Sequence, residues 1–404
     1  MSINSTKQYK VAISGMGLVS SLGKGIESLD YLFRDNVTRP VTVPSWLFET
    51  QLEHPVFIYN NPDEDLYTDP LLPNRTLKLL FWAVKEALSH ARVSFDELKD
   101  NRVGIAIGTT VGVTFNNEKT YYEWLDTGHI DRHAVESFFS SNPALVLKEL
   151  LNVKGPAAVV TNACSSGTDA IGLGMLWIDN NMCDIAICGG ADELSRIAFN
   201  GFVALQLASR KRARPFDVNR DGLNIGEGAG IVILENMTCA KQRGFKPYGA
   251  VLGYGAASDA WHPTAPHPEG KGLVRAMKAA IKMADVSPAQ IALINAHGTG
   301  TKANDSSESC AIKALFGPDT PPVYSIKGAV GHCLGAAGAI EVVALLTALK
   351  RGEVYGTVGC SVPDNKHKVY VITEGEKIAL DGKTGLKLSL AFGGTNSALV
   401  VMSI

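Results

Sequence analysis

Residues 157–178 read AAVVTNACSSGTDAIGLGMLWI, and residues 322–349 read PVYSIKGAVGHCLGAAGAIEVVALLTAL. Each begins with a short β-branched run, passes through a turn of small residues and continues into an apolar pattern at helical spacing. The same strand, turn and helix appearing twice points to an internal duplication. Two further pairs extend it. VAISGMGLVSS at 11–21 has a counterpart in AVLGYGAASDA at 250–260, and RVGIAIGTT at 102–110 has one in IALINAHGTGT at 291–301. The pairs keep their order, so the chain divides into an N-terminal half, 1–245, and a C-terminal half, 246–404. The join falls in the polar stretch Thr238–Lys246. Short β-branched runs alternating with helical patterns indicate an α/β layered fold. The first strand is expected at Lys10–Ile13, and helices at Arg75–Ala91, Ser166–Asp179, Gly272–Met283 and Gly338–Lys350. Two similar halves form a site where their equivalent strand ends meet.

Composition narrows the function. The chain has 404 residues, 46% hydrophobic, with a net charge of -2, ample for a large core. A near-neutral balance argues against nucleic-acid binding, which needs a basic surface. Seven cysteines without CxxC spacing read, for six of them, as buried reduced thiols. The opening MSINSTKQYKVAISG lacks the apolar stretch of a leader, and Ala339–Leu349 is too short to span a bilayer. A soluble cytoplasmic protein with no membrane insertion is expected.

Three residues stand out for chemistry. Cys164 lies between a strand pattern and a helix, where the positive end of the helix dipole favours a thiolate. Its small neighbours Ala163, Ser165, Ser166 and Gly167 admit a thioester and leave first-turn amides for an oxyanion. The residue reads equally well as a buried structural cysteine until the histidines are counted. His297, in NAHGTGT, follows an apolar strand run, at the end where ligands bind in α/β folds. Thr299 and Thr301 alternate on one side of that loop and suit an amide-rich ligand arm. His332 sits in the repeat of the nucleophile turn, flanked by Lys327 and Glu341. Taken alone, Lys327 reads as a surface charge and Glu341 as a helix-capping charge. The stretch LAFGGTN at 390–396 offers a backbone donor beside Phe392, or simply a tight turn. Gly15-Met16-Gly17 after a strand resembles a dinucleotide fingerprint, although Ser20 stands at the third glycine. No GxSxG elbow and no common zinc spacing is present, so no metal is expected.

The motifs ACSSG, CGGADE, RPFDVNRDG, GEGAG, NAHGTGT, SIKGAVGHCLGAAGAIE and FGGTN occur in this order. Through them the chain resembles the β-ketoacyl-acyl carrier protein synthases I/II and the ketosynthase subunits of type II polyketide pathways. The match covers nearly everything after residue 100. The resemblance implies a thiolase fold, with duplicated βαβ-rich halves in a five-layered α-β-α-β-α sandwich, usually dimeric. It assigns Cys164 as the acyl-accepting nucleophile, and His297 and His332 as the residues that decarboxylate a malonyl thioester and stabilise its enolate. Lys327 would organise the His332 side, with Glu341 as its structural support. The N–H groups of Cys164 and Phe392 would form the oxyanion hole. Thr299, Thr301, Phe202, Gly393 and Gly394 would contact substrate, with Phe392 as gate and Phe199 and Phe202 bearing on pocket depth. No cofactor is implied beyond the phosphopantetheine that arrives on acyl carrier protein.

Two histidines, rather than a histidine and an asparagine, set this pattern apart from chain-initiating synthases. Degradative thiolases carry a second cysteine where this chain has Phe392-Gly393-Gly394. Departures from the housekeeping enzymes cluster in residues 30–75, including PVTVPSWLFETQLEHPVF, and in a shortened segment between Leu205 and Arg214. Asp169 stands where histidine is frequent, and Ser389-Leu390-Ala391 where Ser-Phe-Gly is common. They point to a specialised type II pathway of the aryl polyene kind, as a homodimer or paired with a chain-length-factor subunit. Arg210, Lys211, Arg212 and Arg214 form a candidate docking patch for acidic carrier protein, or an ordinary solvated loop. A non-catalytic chain-length factor, a housekeeping fatty-acid synthase and an NAD-dependent oxidoreductase are the competing functions.

Overall fold

The computed structural model describes residues 10–33, 39–60, 72, 74–112, 114–364, 366 and 368–404. Part of the divergent 30–75 region therefore lies outside the described residues. The main sheet runs in the order Ala157–Val160, Val103–Gly108, Ile185–Asp192, Gly228–Asn236, Val11–Ser20, Gly249–Ser258, Thr395–Ser403, Thr384–Leu390, Leu293–Asn295, Val323–Tyr324. The short strand Gly23–Lys24 pairs on Val11–Ser20 outside this path. Numbered by appearance within its own half, each set of five reads 3-2-4-5-1 from its outer edge to the centre. In both halves strands 3, 2 and 4 are parallel, while 4 with 5 and 5 with 1 are antiparallel. The halves join through the antiparallel pairs Val11–Val251, Ala12–Ala250 and Ile13–Gly249. The duplication read from sequence is thus a duplication of topology.

Alternate strand residues face different cores. Ile185 and Ile187 meet helices Arg75–Ala91 and Pro143–Leu150, whereas Ala186 and Cys188 meet helices Ser166–Asp179 and Ala337–Arg351. In the second half Leu386 and Leu388 meet helices Lys271–Ala284 and Lys302–Phe316, while Leu399 and Val401 face the central pair. Helix, sheet, helix pair, sheet and helix make five layers. Ala337–Arg351 is buried nearly all round, as a helix between two sheets must be.

The first strand is Val11–Ser20, longer than expected and buried throughout. Gly15 and Gly17 lie inside it because helix Arg75–Ala91 rests directly on them. A Cβ on Gly17 would stand 1.9 Å from the Ala83 carbonyl oxygen, and one on Gly15 2.0 Å from that of Ala87. Their counterparts Gly253 and Gly255 meet the Ala280 and Ala276 carbonyls in the same manner. These glycines serve helix–strand contact, which overturns the dinucleotide-loop reading. The join carries a short helix, Met237–Gln242, whose Met237 and Ala240 pack with Ala12 and Ala250. All seven cysteines are free, but Cys239 is exposed and Cys310 half-buried, against the expectation of burial.

Candidate active site

Strand Ala157–Val160 leads into the single 3-10 turn Ala163–Ser165 and then helix Ser166–Asp179. Ala163 takes φ 48°, a left-handed conformation that bends the chain sharply at Cys164. Asp169 holds this turn. Its carboxylate accepts from Asn162 Nδ2 at 2.9 Å, Ser165 Oγ at 2.8 Å and the Tyr254 hydroxyl at 2.8 Å, and also from Ser397 Oγ. Sequence reasoning saw Asp169 only as a departure. A carboxylate one turn into the helix after a candidate nucleophile was the available signal.

Cys164 is buried, with Sγ 3.0 Å from His332 Nε2. Burial pushes its thiol up to about 12, opposed by the charge of Lys327 and by the Phe392 and Cys164 N–H groups facing the sulfur. The helix terminus therefore does not by itself leave a thiolate at rest, as the sequence suggested. The thiol needs a base, and His332 is in hydrogen-bond range.

His332 belongs to the matching turn of the second half. Its N–H donates to the Asn224 carbonyl at 2.8 Å, and its carbonyl accepts from Gly226 N–H at 3.0 Å. The turn Leu334–Ala336 that follows repeats the geometry at Cys164, with Leu334 at φ 49°. His297 projects from the loop after Leu293–Asn295, and the two imidazoles lie 5.2 Å apart at 87°. Glu308 clamps that loop, accepting from the His297 N–H at 2.6 Å and the Gly298 N–H at 2.8 Å. Burial, then the charge of Lys327, lowers both histidines well below 6.5.

Lys327 is buried rather than on the surface. It donates to the His297 carbonyl at 2.6 Å and stands 3.4 Å from His297 Nδ1. It thus organises the His297 side, not the His332 side that the resemblance implied. Its other partner is Glu341, which pairs also with Lys387 at 2.7 Å. Lys387, Glu308 and the bracing role of Asp169 went unread in the sequence.

Cys164, His297 and His332 line one cavity together with Phe202, Leu207, Leu223, Thr264, Thr299, Thr301, Asn304 and Phe392. The Thr299 and Thr301 hydroxyls lie 3.0 Å apart on its wall. Phe202 stacks against Phe392 with ring centroids 5.4 Å apart and meets the His332 ring at 6.3 Å. Behind them Phe199, Phe48, Leu47 and Val43 form one apolar cluster, so the divergent 40–57 stretch backs this pair of rings. Gly393 and Gly394 adopt φ 83° and 79°, and their N–H groups are spent on the Pro263 and Ala391 carbonyls. They shape the loop and offer substrate no free donor, contrary to expectation. Arg210, Lys211 and Arg214 are exposed on the loop that follows the cavity-lining Leu207, while Arg212 is half-buried with Glu374 at 3.8 Å.

Two family models cover most of this architecture: the β-ketoacyl synthase N-terminal domain matches residues 8–240, and the C-terminal domain matches 248–361. The chain belongs to the β-ketoacyl synthase family. The 3-oxoacyl-[acyl-carrier-protein] synthase 2 of Staphylococcus aureus strain COL is 32% identical, over 98% of each chain. The ishigamide ketosynthase/chain length factor structure superposes with a TM-score of 0.90 at 30% identity, covering 98% of this chain and 100% of that one. A type II polyketide ketosynthase, solved with its acyl-carrier protein and bound to the hexaketide, gives 0.86 at 26% identity over 98% and 100%. Thiolase-fold architecture and β-ketoacyl synthase membership therefore stand.

Proposed function

We propose that this synthase condenses an acyl group held on Cys164 with a malonyl thioester on acyl carrier protein, lengthening a fatty-acid or polyketide chain by two carbons. The observation that carries the reading is the meeting of Cys164 Sγ, His332 Nε2 and the His297 ring at one cavity. In the first step His332 takes the thiol proton, sulfur attacks the acyl thioester, and the carrier thiol leaves with a proton. In the second, the malonyl C–C bond breaks and CO₂ departs. The electron pair passes to the thioester enolate, held by N–H donors from the neutral imidazoles. In the third, the enolate carbon attacks the Cys164 thioester and expels the sulfur as a thiolate, which takes a proton from solvent to restore the thiol. The Cys164 and Phe392 N–H groups hold the intermediate oxyanion. Thr299 and Thr301 receive the phosphopantetheine arm, while Phe202 and Phe392 gate the acyl group. No resident cofactor or metal takes part in this scheme. Loading the protein from carrier proteins bearing different acyl chains, followed by intact-mass detection, tests the first step and reveals the preferred chain.

Because both imidazoles resist protonation, decarboxylation should hold its rate as pH falls through 6.5 and fail only below it. The sign follows from burial, which disfavours the charged form, so the neutral donor persists into acid. A malonyl-carrier decarboxylation profile with its acid limb at or above 6.5 would refute neutral imidazoles.

Carrier protein is proposed to dock beside the cavity on Arg210, Lys211 and Arg214. Reversing these charges should raise KM for carrier-bound substrate roughly tenfold and leave small thioester mimics unaffected. Equal losses with both substrates would remove the docking role. Assembly as a homodimer, or with a chain-length factor, is supported by two features. Ala157–Val160 forms one end of the sheet path, and Tyr121, Tyr122, Trp124, Leu125, Ile130 and Phe139 stand exposed. An inert chain-length-factor role is disfavoured by the complete Cys164, His297 and His332 set. No helix among the described residues is long and apolar enough to cross a membrane, in keeping with a cytoplasmic site of action.

A further inference from the structure

Lys387 lies in strand Thr384–Leu390, where the alternation Leu386-Lys387-Leu388-Ser389-Leu390 reads as a lysine facing water. It is instead fully buried. Leu386, Leu388 and Leu390 fill the outer core, and Lys387 points the other way, into the central helix layer toward Glu341. Its ammonium lies 2.7 Å from Glu341 Oε2 and donates to the Leu388 carbonyl. Glu341 Oε1 takes the ammonium of Lys327, which donates in turn to the His297 carbonyl. One buried carboxylate is shared by two ammonium groups, only one of which reaches the histidines.

A buried ammonium is costly unless paired. Lys327 and Glu341 would already make a neutral pair, so Lys387 is not needed to neutralise Lys327. Its charge adds to that of Lys327 in disfavouring protonation of both imidazoles, and its contact with Glu341 has a geometric effect besides. Oε1 accepts from Lys327 and Oε2 stands in ion-pair contact with Lys387, so the two contacts favour the carboxylate orientation that delivers Lys327 to the His297 loop. Glu308, which feels the charge of Lys387, clamps the same loop through the His297 and Gly298 N–H groups.

We propose that Lys387 is a positioning residue for decarboxylation: it locks Glu341 so that Lys327 and, through it, His297 are held for the malonyl thioester. The inference rests on the condensing reaction proposed above. It is tested with Lys387→Met, a neutral side chain of similar length, assayed beside the wild type for both partial reactions. The kcat for malonyl-carrier decarboxylation should fall roughly 10- to 100-fold with KM little changed. Acylation of Cys164, followed by intact mass, should stay within about threefold, because only the charge of Lys387 bears on His332, and loss of that charge leaves a neutral imidazole still 3.0 Å from the thiol. Lys387→Ala should recover decarboxylation on addition of methylammonium, which can fill the vacated cation position. Parallel loss of both partial reactions, no loss of either, or no response of Lys387→Ala to methylammonium would overturn the proposal. Should Lys387→Met fail to fold, the methylammonium response alone decides. A wild type that neither becomes acylated nor decarboxylates malonyl-carrier would defeat the condensing reading itself.

Discussion

Cys164→Ala is expected to abolish acyl transfer from carrier protein and to cut condensation by roughly 10³-fold or more, while malonyl decarboxylation continues. Alanine fits the space of the buried thiol, so the fold should survive. No neighbour can replace the sulfur. Ser165 Oγ is tied to Asp169 and the Asn162 carbonyl, and Ser166 Oγ donates to the Ala163 carbonyl at 2.6 Å. The imidazole pair remains, and loss of CO₂ needs its N–H donors rather than the thiol. Intact mass after incubation with acyl-carrier protein reads the first effect, and CO₂ release reads the second. Equal acylation of Cys164→Ala would place the nucleophile elsewhere.

Glu341→Ala should have the largest effect on stability. It strands two buried ammonium groups, Lys327 and Lys387, each about 1% exposed or less. Removing one partner from a buried ion pair costs about 3–5 kcal/mol, because the remaining charge is left without compensation. The loss should shrink as pH rises. Burial has already lowered Lys387 to about 8, and without Glu341 it gives up its proton more readily still. Chemical denaturation at neutral and alkaline pH measures both the size and the trend. A loss below about 1 kcal/mol would mean that the lysines find other partners.

The fold was legible because duplication is written in order as well as pattern. Glycine pairs Gly15/Gly17 and Gly253/Gly255 mark the same helix–strand contact in each half, although the first pair imitates a nucleotide loop until the packing is known. The thiol and histidines were legible because each lies in a glycine-rich or small-residue turn after a strand. Their supports were not. Lys387 and Glu308 occupy ordinary strand and helix positions, and only the layering turns those faces inward. The resemblance places Lys327 on the His332 side, but where a long side chain ends depends on packing, and its ammonium reaches the His297 carbonyl. Gly393 and Gly394 invited a donor role that their hydrogen bonds to Pro263 and Ala391 have already taken.

The paired turns Ala163–Ser165 and Leu334–Ala336 meet across the centre, where a Cβ on Gly167 would stand 2.7 Å from the Gly335 carbonyl oxygen. Thiol and base are therefore spaced by backbone abutting backbone, which leaves little room for either turn to shift. The pocket wall at Phe202 and Phe392 is backed differently, by side chains of the 40–57 stretch. Substitutions in that backing are expected to change acyl preference before they change the bond-making rate.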